Sequence, residues 1–242
     1  MKHARKLASL LLALVMVFAL AVTAFATETG TTTTTGTITV ANPVANQEYK
    51  AYYEHDNYIL YFGRYAREKG VLTILKAYAK MHCDEKLVLV GKGSEEERIK
   101  NFVKEHNLEG RVQVNGAIFG EEMDRIIERA KVVLVPSEWY ENGAFVALQA
   151  LAKGKIVVAS DIAGLSEIVQ DGETGYLAEP GNPDSFAIAI QKALNLTENE
   201  YRNMSARIVA YAKKRCDAEN YIEKLCKIYE ELINGKQHKE NG

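Results

Sequence analysis

From Tyr58 onward, short continuous apolar runs alternate with segments whose apolar residues recur every three or four positions. The runs Tyr58–Phe62, Lys86–Val90 and Val132–Val135 read as buried strands, and 111–114, 155–160 and 174–177 complete a set of about six. Between them the helical period predicts helices over 70–81, 94–106 and 121–130, one opening near Gly143, one over 183–195, and two closing helices over 198–214 and 218–233. In the first helix Val71, Ile74, Leu75, Tyr78 and Met81 share one face. Ser94 with Glu97 predicts a capping box, and Pro183 suits a first helical turn. The stretch 132–169 reads as strand, turn, helix, strand, turn, helix. Strands that alternate with helices predict the α/β class: a single Rossmann-like parallel-sheet domain with helices on both faces. In such a sheet, ligands bind at the loops beyond the carboxyl ends of the strands.

The first 57 residues have a different texture. Lys2, Arg5 and Lys6 precede an apolar run over 7–22, and Ala24-Phe25-Ala26 fits the small-x-small cleavage rule. Residues 1–26 are therefore expected to be a signal peptide, which implies a secreted or cell-surface location. The apolar run is shorter than the roughly 20 residues of a membrane span, so membrane attachment is expected only if this segment stays uncleaved. Residues 27–57 divide into a Thr-rich linker, 27–36, and a leader in which 37–40 and 49–53 alternate as strands would. The leader, GTITVANPVANQEYKAYY, resembles the opening of Gram-positive pilin-type surface domains. The domain proper is expected over 58–242.

Composition narrows the function. Lys and Arg number 30 against 32 Asp and Glu, and no basic run is interleaved with aromatics, so a nucleic-acid partner is not expected. Cys83, Cys216 and Cys226 lack C-x-x-C spacing, and the five histidines do not fall at ligand spacing with cysteines or carboxylates. The chain has neither D-x-D nor G-x-S-x-G, so no metal site and no serine hydrolase is indicated.

Three motifs carry candidate chemistry. Gly63 follows the first strand, and Arg64 and Lys69 stand at that strand's end beside a helix start. Two cations near unpaired helix N–H groups suit a diphosphate; the alternative is a solvated charged loop. Gly91-Lys92-Gly93 begins like a dinucleotide fingerprint, but Glu96 stands where the third glycine belongs, so a tight turn is the plainer reading and a nicotinamide-type enzyme is disfavoured. Glu141 precedes the helix that opens near Gly143, and Gln149 lies two turns in; a helix-dipole carboxylate with a surface glutamine is the alternative.

Taken in order, YFGRYAREKG, LVLVGKG, RVQVNGAI, VVLVPSEWYENGAFVALQALAKGKIVVASDIAGLSEIV and DGETGYLAEPGNPDSFA are similar to the C-terminal, donor-binding half of family 4 (group 1) glycosyltransferases of the GT-B fold. The resemblance spans residues 58–233. It implies a nucleotide-diphosphate sugar as donor, no metal or other cofactor, and retention of anomeric configuration. Arg64 and Lys69 match the basic pair on the diphosphate. Glu141 matches the first Glu of the family's Glu–seven residues–Glu motif, a sugar contact, so the three are the implied catalytic residues. Gly63, Gly143, Ala144 and Phe145 would bring backbone near donor phosphate and sugar, and the loop around Gly116 would lie against the base. Gln149 stands where the family has its second Glu, the ribose ligand. Ile156 replaces the usual Pro before a strand. The resemblance further implies an acceptor-binding domain, for which the 30 or so residues between signal and Tyr58 are too few. A separate domain or chain is the expected partner. Export conflicts with the cytoplasmic setting of the family, so a second expectation stands: an exported surface or binding protein, or a fusion remnant, without catalysis.

Overall fold

In the computed structural model, residues 48–140, 144–216, 222–223 and 225–230 are described. The expected signal peptide and the leader up to residue 47, together with Glu141, Asn142 and Gly143, lie outside them, as does half of the helix expected over 218–233; its described residues, 222–223 and 225–230, are helical.

The sheet has six parallel strands in the order β3-β2-β1-β4-β5-β6. They are β1 Tyr58–Phe62, β2 Lys86–Val90, β3 Val112–Asn115, β4 Val132–Val135, β5 Ile156–Ser160 and β6 Gly175–Ala178. The helices are α1 Val71–Lys80, α2 Glu96–Glu105, α3 Gly120–Arg129, α4 Phe145–Ala152, α5 Pro183–Leu194 and α6 Glu198–Cys216. The α/β class and the single parallel sheet expected from the alternation are those observed. The strands are apolar throughout because helices cover both faces: every residue of β4 and β5 is buried. Register runs Leu60↔Val88 and Leu60↔Val133 about the central strand. The chain winds outward from β1 through β2 to β3, then returns to the far side of β1 with β4. The order therefore reverses between β1 and β4, and loops leave that point toward opposite faces.

Local chemistry sets the ends of the elements. Asn182 caps α5: its Oδ1 accepts from the Asp184 and Ser185 amides at 3.0 and 3.2 Å, with Pro183 in the first turn. Helix α1 follows Gly70, whose φ of 64° is left-handed. A Cβ at Gly70 would lie 1.9 Å from the Pro136 carbonyl oxygen, so only glycine lets the β1 and β4 loops meet.

The structure corrects three expectations. No capping box forms at Ser94; α2 starts at Glu96 with Glu95 as N-cap and no side-chain cap bond. The amide of Glu95 instead donates to the Tyr65 carbonyl at 2.9 Å, so the turn is tied to the β1 loop. The segment after β5, expected to close as a helix by Val169, is a series of turns. Its i→i+4 bonds from Ser166 and Val169 stop short of a helix, and Gly164 has φ 91°. Finally, 49–53 is no strand. It lies extended against the turn after α4: the Lys50 and Tyr52 amides donate to the Ala152 and Lys153 carbonyls at 3.0 and 3.2 Å.

Candidate functional site

A cleft of about 770 Å³ opens beyond the carboxyl ends of β1, β2 and β3. That size is ordinary for a small-molecule site. Each wall comes from a different loop. The β1 loop supplies Gly63 and Arg64, the β2 loop Gly91 and Lys92, and the β3 loop Ala117, Ile118 and Phe119. Gln149 and Val146 of α4 close the side nearest β4. Met123 and Ile127 of α3 form an apolar floor. The lining therefore includes two cations, Arg64 and Lys92, and the Gln149 amide, together with a largely apolar α3 wall and the highly exposed phenyl ring of Phe119; Asp124, which pairs with Lys153 at 3.2 Å, is the carboxylate on that wall.

The β1 loop is held by backbone. Gly63 and Tyr65 extend the parallel pairing past the strand, donating to the Val90 and Lys92 carbonyls at 3.0 and 2.8 Å. Gly91 and Gly93 are glycines because that approach is close: a Cβ on either would stand 1.9 or 2.2 Å from the carbonyl oxygen of Gly63 or Tyr65. The turn reading of Gly91-Lys92-Gly93 is thus correct for the glycines, while Lys92 between them reaches the cleft.

Arg64 has its carbonyl oxygen fixed by the Tyr61 hydroxyl at 2.7 Å. Its guanidinium donates to Glu68 Oε1 at 3.0 Å, and the side chain is 71% exposed. An exposed ion pair of this kind contributes only about 0–1 kcal/mol, so an incoming anion can compete for the guanidinium. Lys69 sits elsewhere. It ends the short 3-10 turn Arg67–Lys69, and that turn lies against the β4 loop: the Glu138 amide donates to the Glu68 carbonyl at 2.8 Å. The Glu138 carboxylate accepts from the Thr73 hydroxyl, which anchors the β4 loop on α1. Arg64 is on the cleft wall; Lys69 is not among the residues lining it.

The remaining expected residues are distributed as follows. Gln149 is half-buried on the cleft wall. Gly116 is exposed beside Lys92, whose Cε would lie 3.4 Å from a Cβ at that position. Ala144 is the N-cap of α4, buried, with left-handed φ 36° and ψ 37°. Phe145 opens α4 and is 56% exposed. Glu141 and Gly143 lie outside the described residues. The structure brings Gly63, Arg64 and Gln149 to one cleft with Ala117. Sequence reasoning passed over Lys92, Ile118 and Phe119; their place just beyond β2 and β3 is the signal that marks them. Among the described residues, no group of three or more His, Cys, Asp or Glu is placed to hold a metal ion, and no helix is long and apolar enough to cross a membrane.

Comparison with known proteins places this geometry. The family model for glycosyl transferases group 1 matches residues 45–215. The lipopolysaccharide 1,2-N-acetylglucosaminetransferase of Salmonella typhimurium is 33% identical over 168 residues, covering 64% of this chain and 44% of that protein. The crystal structure of Anabaena HepE in complex with UDP and glucose superposes with a TM-score of 0.66 at 22% identity, over 73% of this chain and 48% of that one. Sucrose-phosphate synthase from Thermosynechococcus elongatus gives a TM-score of 0.65 at 30% identity, over 81% of this chain and 50% of that one. The chain thus spans about a third to a half of the length of the curated relatives it matches. A family match over 45–215, carried on the doubly wound sheet these enzymes share, shows that the chain belongs to the group 1 glycosyl transferases.

Proposed function

We propose that the cleft binds a nucleotide-diphosphate sugar, with UDP as its nucleotide, and that this domain presents the donor for glycosyl transfer with retention of configuration. The observation that carries the reading is the polarity of the cleft. Arg64, Lys92 and Gln149 contribute polar groups from the β1 and β2 loops and α4, and Ile118, Phe119, Met123 and Ile127 contribute an apolar surface from the β3 loop and α3, where Asp124 is the acidic member. A diphosphate belongs at the first and a base at the second. Fixed cations aimed at the leaving diphosphate, with no metal, are the proposed source of charge stabilisation. Glu141 is the proposed sugar contact and Lys69, which does not line the cleft, a proposed third diphosphate cation, each from the family motif it matches. Support for UDP is that HepE was solved with UDP and glucose.

Gln149 is the proposed ribose ligand. An amide can accept one ribose hydrogen bond and donate another, but it lacks the charge-assisted acceptor of a carboxylate. Because the chain spans about a third to a half of the length of these curated relatives, the acceptor is proposed to come from a domain or chain other than residues 58–242. Residues 1–26 are proposed to direct export; N-terminal sequencing of the mature protein should then begin at Thr27, and an intact Met1 would refute it.

The test is titration calorimetry of the full chain with UDP, GDP and ADP. UDP is expected to bind, and Arg64→Ala and Lys92→Ala are each expected to weaken it by about 1.5–3 kcal/mol, the range for hydrogen bonds to charged groups. A folded sample with no affinity for any of the three would sink the reading.

A further inference from the structure

Tyr65 lies one residue past the cleft-lining Arg64 and is itself wholly buried. Its contacts reach all three loops that form the cleft. Its amide donates to the Lys92 carbonyl at 2.8 Å, and its carbonyl accepts from the Glu95 amide at 2.9 Å. Its ring stacks on Tyr61 with centroids 6.2 Å apart, and Tyr61 in turn holds the Arg64 carbonyl. At the far end its hydroxyl donates to the Asn115 carbonyl at 2.8 Å.

Asn115 is the last residue of β3, and the loop that begins after it carries Ala117, Ile118 and Phe119 onto the apolar surface of the cleft. The Asn115 carbonyl also accepts from the Gly91 amide, but at 3.3 Å, a longer bond. Its side-chain amide donates to the Leu89 carbonyl at 3.3 Å. The Tyr65 bond is shorter than these and than the 3.1 Å bond that Asn115 Oδ1 accepts from the Gln113 side chain, and unlike the ladder pairing of Asn115 with Val90 it comes from the cleft-lining β1 loop. A leucine or phenylalanine would fill much of the same volume without making it.

We propose that Tyr65 is a positioning residue: through its hydroxyl on the Asn115 carbonyl it sets the loop of residues 116–119 relative to Arg64 and Lys92, and so governs the apolar, base-side half of the cleft. The inference rests on the donor-site reading above. Burial pushes the Tyr65 hydroxyl well above the ordinary phenol range, so it stays a protonated donor across the physiological window. Removing the donor leaves the strand and core intact and frees the loop, while the cations on the β1 and β2 loops keep their backbone ties.

The experiment compares wild type, Tyr65→Phe and Tyr78→Phe in the full chain. Tyr78 is the control, because it is equally buried and its hydroxyl bonds the Glu85 and Arg111 carbonyls at 2.7 and 3.3 Å, residues at the ends of β2 and β3 opposite the cleft that do not line it. One arm measures hydrogen exchange without ligand. Tyr65→Phe is expected to speed exchange of amides 115–119 about tenfold and leave 59–62 unchanged, whereas Tyr78→Phe leaves 115–119 as in wild type. The other arm measures UDP and pyrophosphate by calorimetry. Tyr65→Phe is expected to weaken UDP about three- to tenfold, the net value of one hydrogen bond, and pyrophosphate less than about twofold. Equal weakening of both ligands, unchanged exchange at 115–119, or loss of folding in Tyr65→Phe alone would overturn the proposal. If wild type binds no nucleotide, the donor-site reading fails, and the exchange arm still decides whether Tyr65 holds the loop.

Discussion

Ala144 shows how a single residue can be placed at an energetic disadvantage where a ligand is expected. It caps α4 in the left-handed region, with φ 36°, and its methyl is buried. For a residue with a Cβ that conformation costs about 1–2 kcal/mol. Such strain persists only where the surroundings enforce it, and it gathers at functional sites. Ala144→Gly is therefore expected to be neutral or stabilising by up to about 1 kcal/mol, since relief of the strain meets the loss of one buried methyl and greater freedom in the unfolded chain. Ala150→Gly, within the same helix and fully buried, should instead lose about 1 kcal/mol or more. Denaturation midpoints at constant slope measure both, and the difference between the two substitutions is the decisive feature. A loss in Ala144→Gly as large as that in Ala150→Gly would show that the left-handed conformation costs nothing here.

At the scale of elements, the site depends on how closely two parallel loops approach. Gly91→Ala would drive a Cβ into the Gly63 carbonyl, and backbone cannot rotate away as a side chain can. A loss of about 3 kcal/mol or more is expected. At Gly110 nothing lies within 4 Å of a built Cβ, so Gly110→Ala should stay within about 0.5 kcal/mol of wild type. Thermal unfolding of the pair separates backbone collision from the general effect of adding a methyl.

The same contrast explains what could be read beforehand. Strands such as β1, β2 and β4 were legible to the residue because a strand buried on both faces is a continuous apolar run. The 162–169 segment was not, because its apolar spacing is helical while Gly164 takes a left-handed turn that spacing cannot reveal. Arg64 and Gln149 were legible through motifs. Lys92 and Phe119 were not, because their role arises only when three strand ends are brought side by side. Tyr65, one position from a motif arginine, reads as an ordinary aromatic until its hydroxyl is seen 50 residues away, on Asn115.

At the scale of the whole molecule, the two ends of the sheet are built differently. The carboxyl end opens into the cleft, whereas near the amino end of β5 the chain before β1 lies over Lys155. This lysine, just ahead of β5, is fully buried, and its ammonium donates to the Tyr52 carbonyl at 2.7 Å. Neighbouring Lys153 is matched by Asp124 and Glu128 at 3.2 and 2.8 Å, but among the described residues no carboxylate bonds the Lys155 ammonium. Burial, with Arg129 and Lys153 adding repulsion that Glu128 only partly offsets, lowers its pKa from 10.5 to about 7. In the unfolded chain the same amine titrates near its ordinary value. Between about pH 7 and 10 the unfolded state therefore holds a proton that the folded state has released, so stability rises with pH across this window and falls as pH drops through 7. The slope for one proton approaches about 1.4 kcal/mol per pH unit. Lys155→Met keeps the buried stem and removes the titration, at the cost of leaving the Tyr52 carbonyl without its ammonium donor. Chemical denaturation at pH 7, 8 and 9 is expected to show rising stability in wild type and a flatter profile in the variant. Parallel profiles would mean that the Lys155 ammonium is charged throughout, and that Glu128 compensates its burial more fully than the distances indicate.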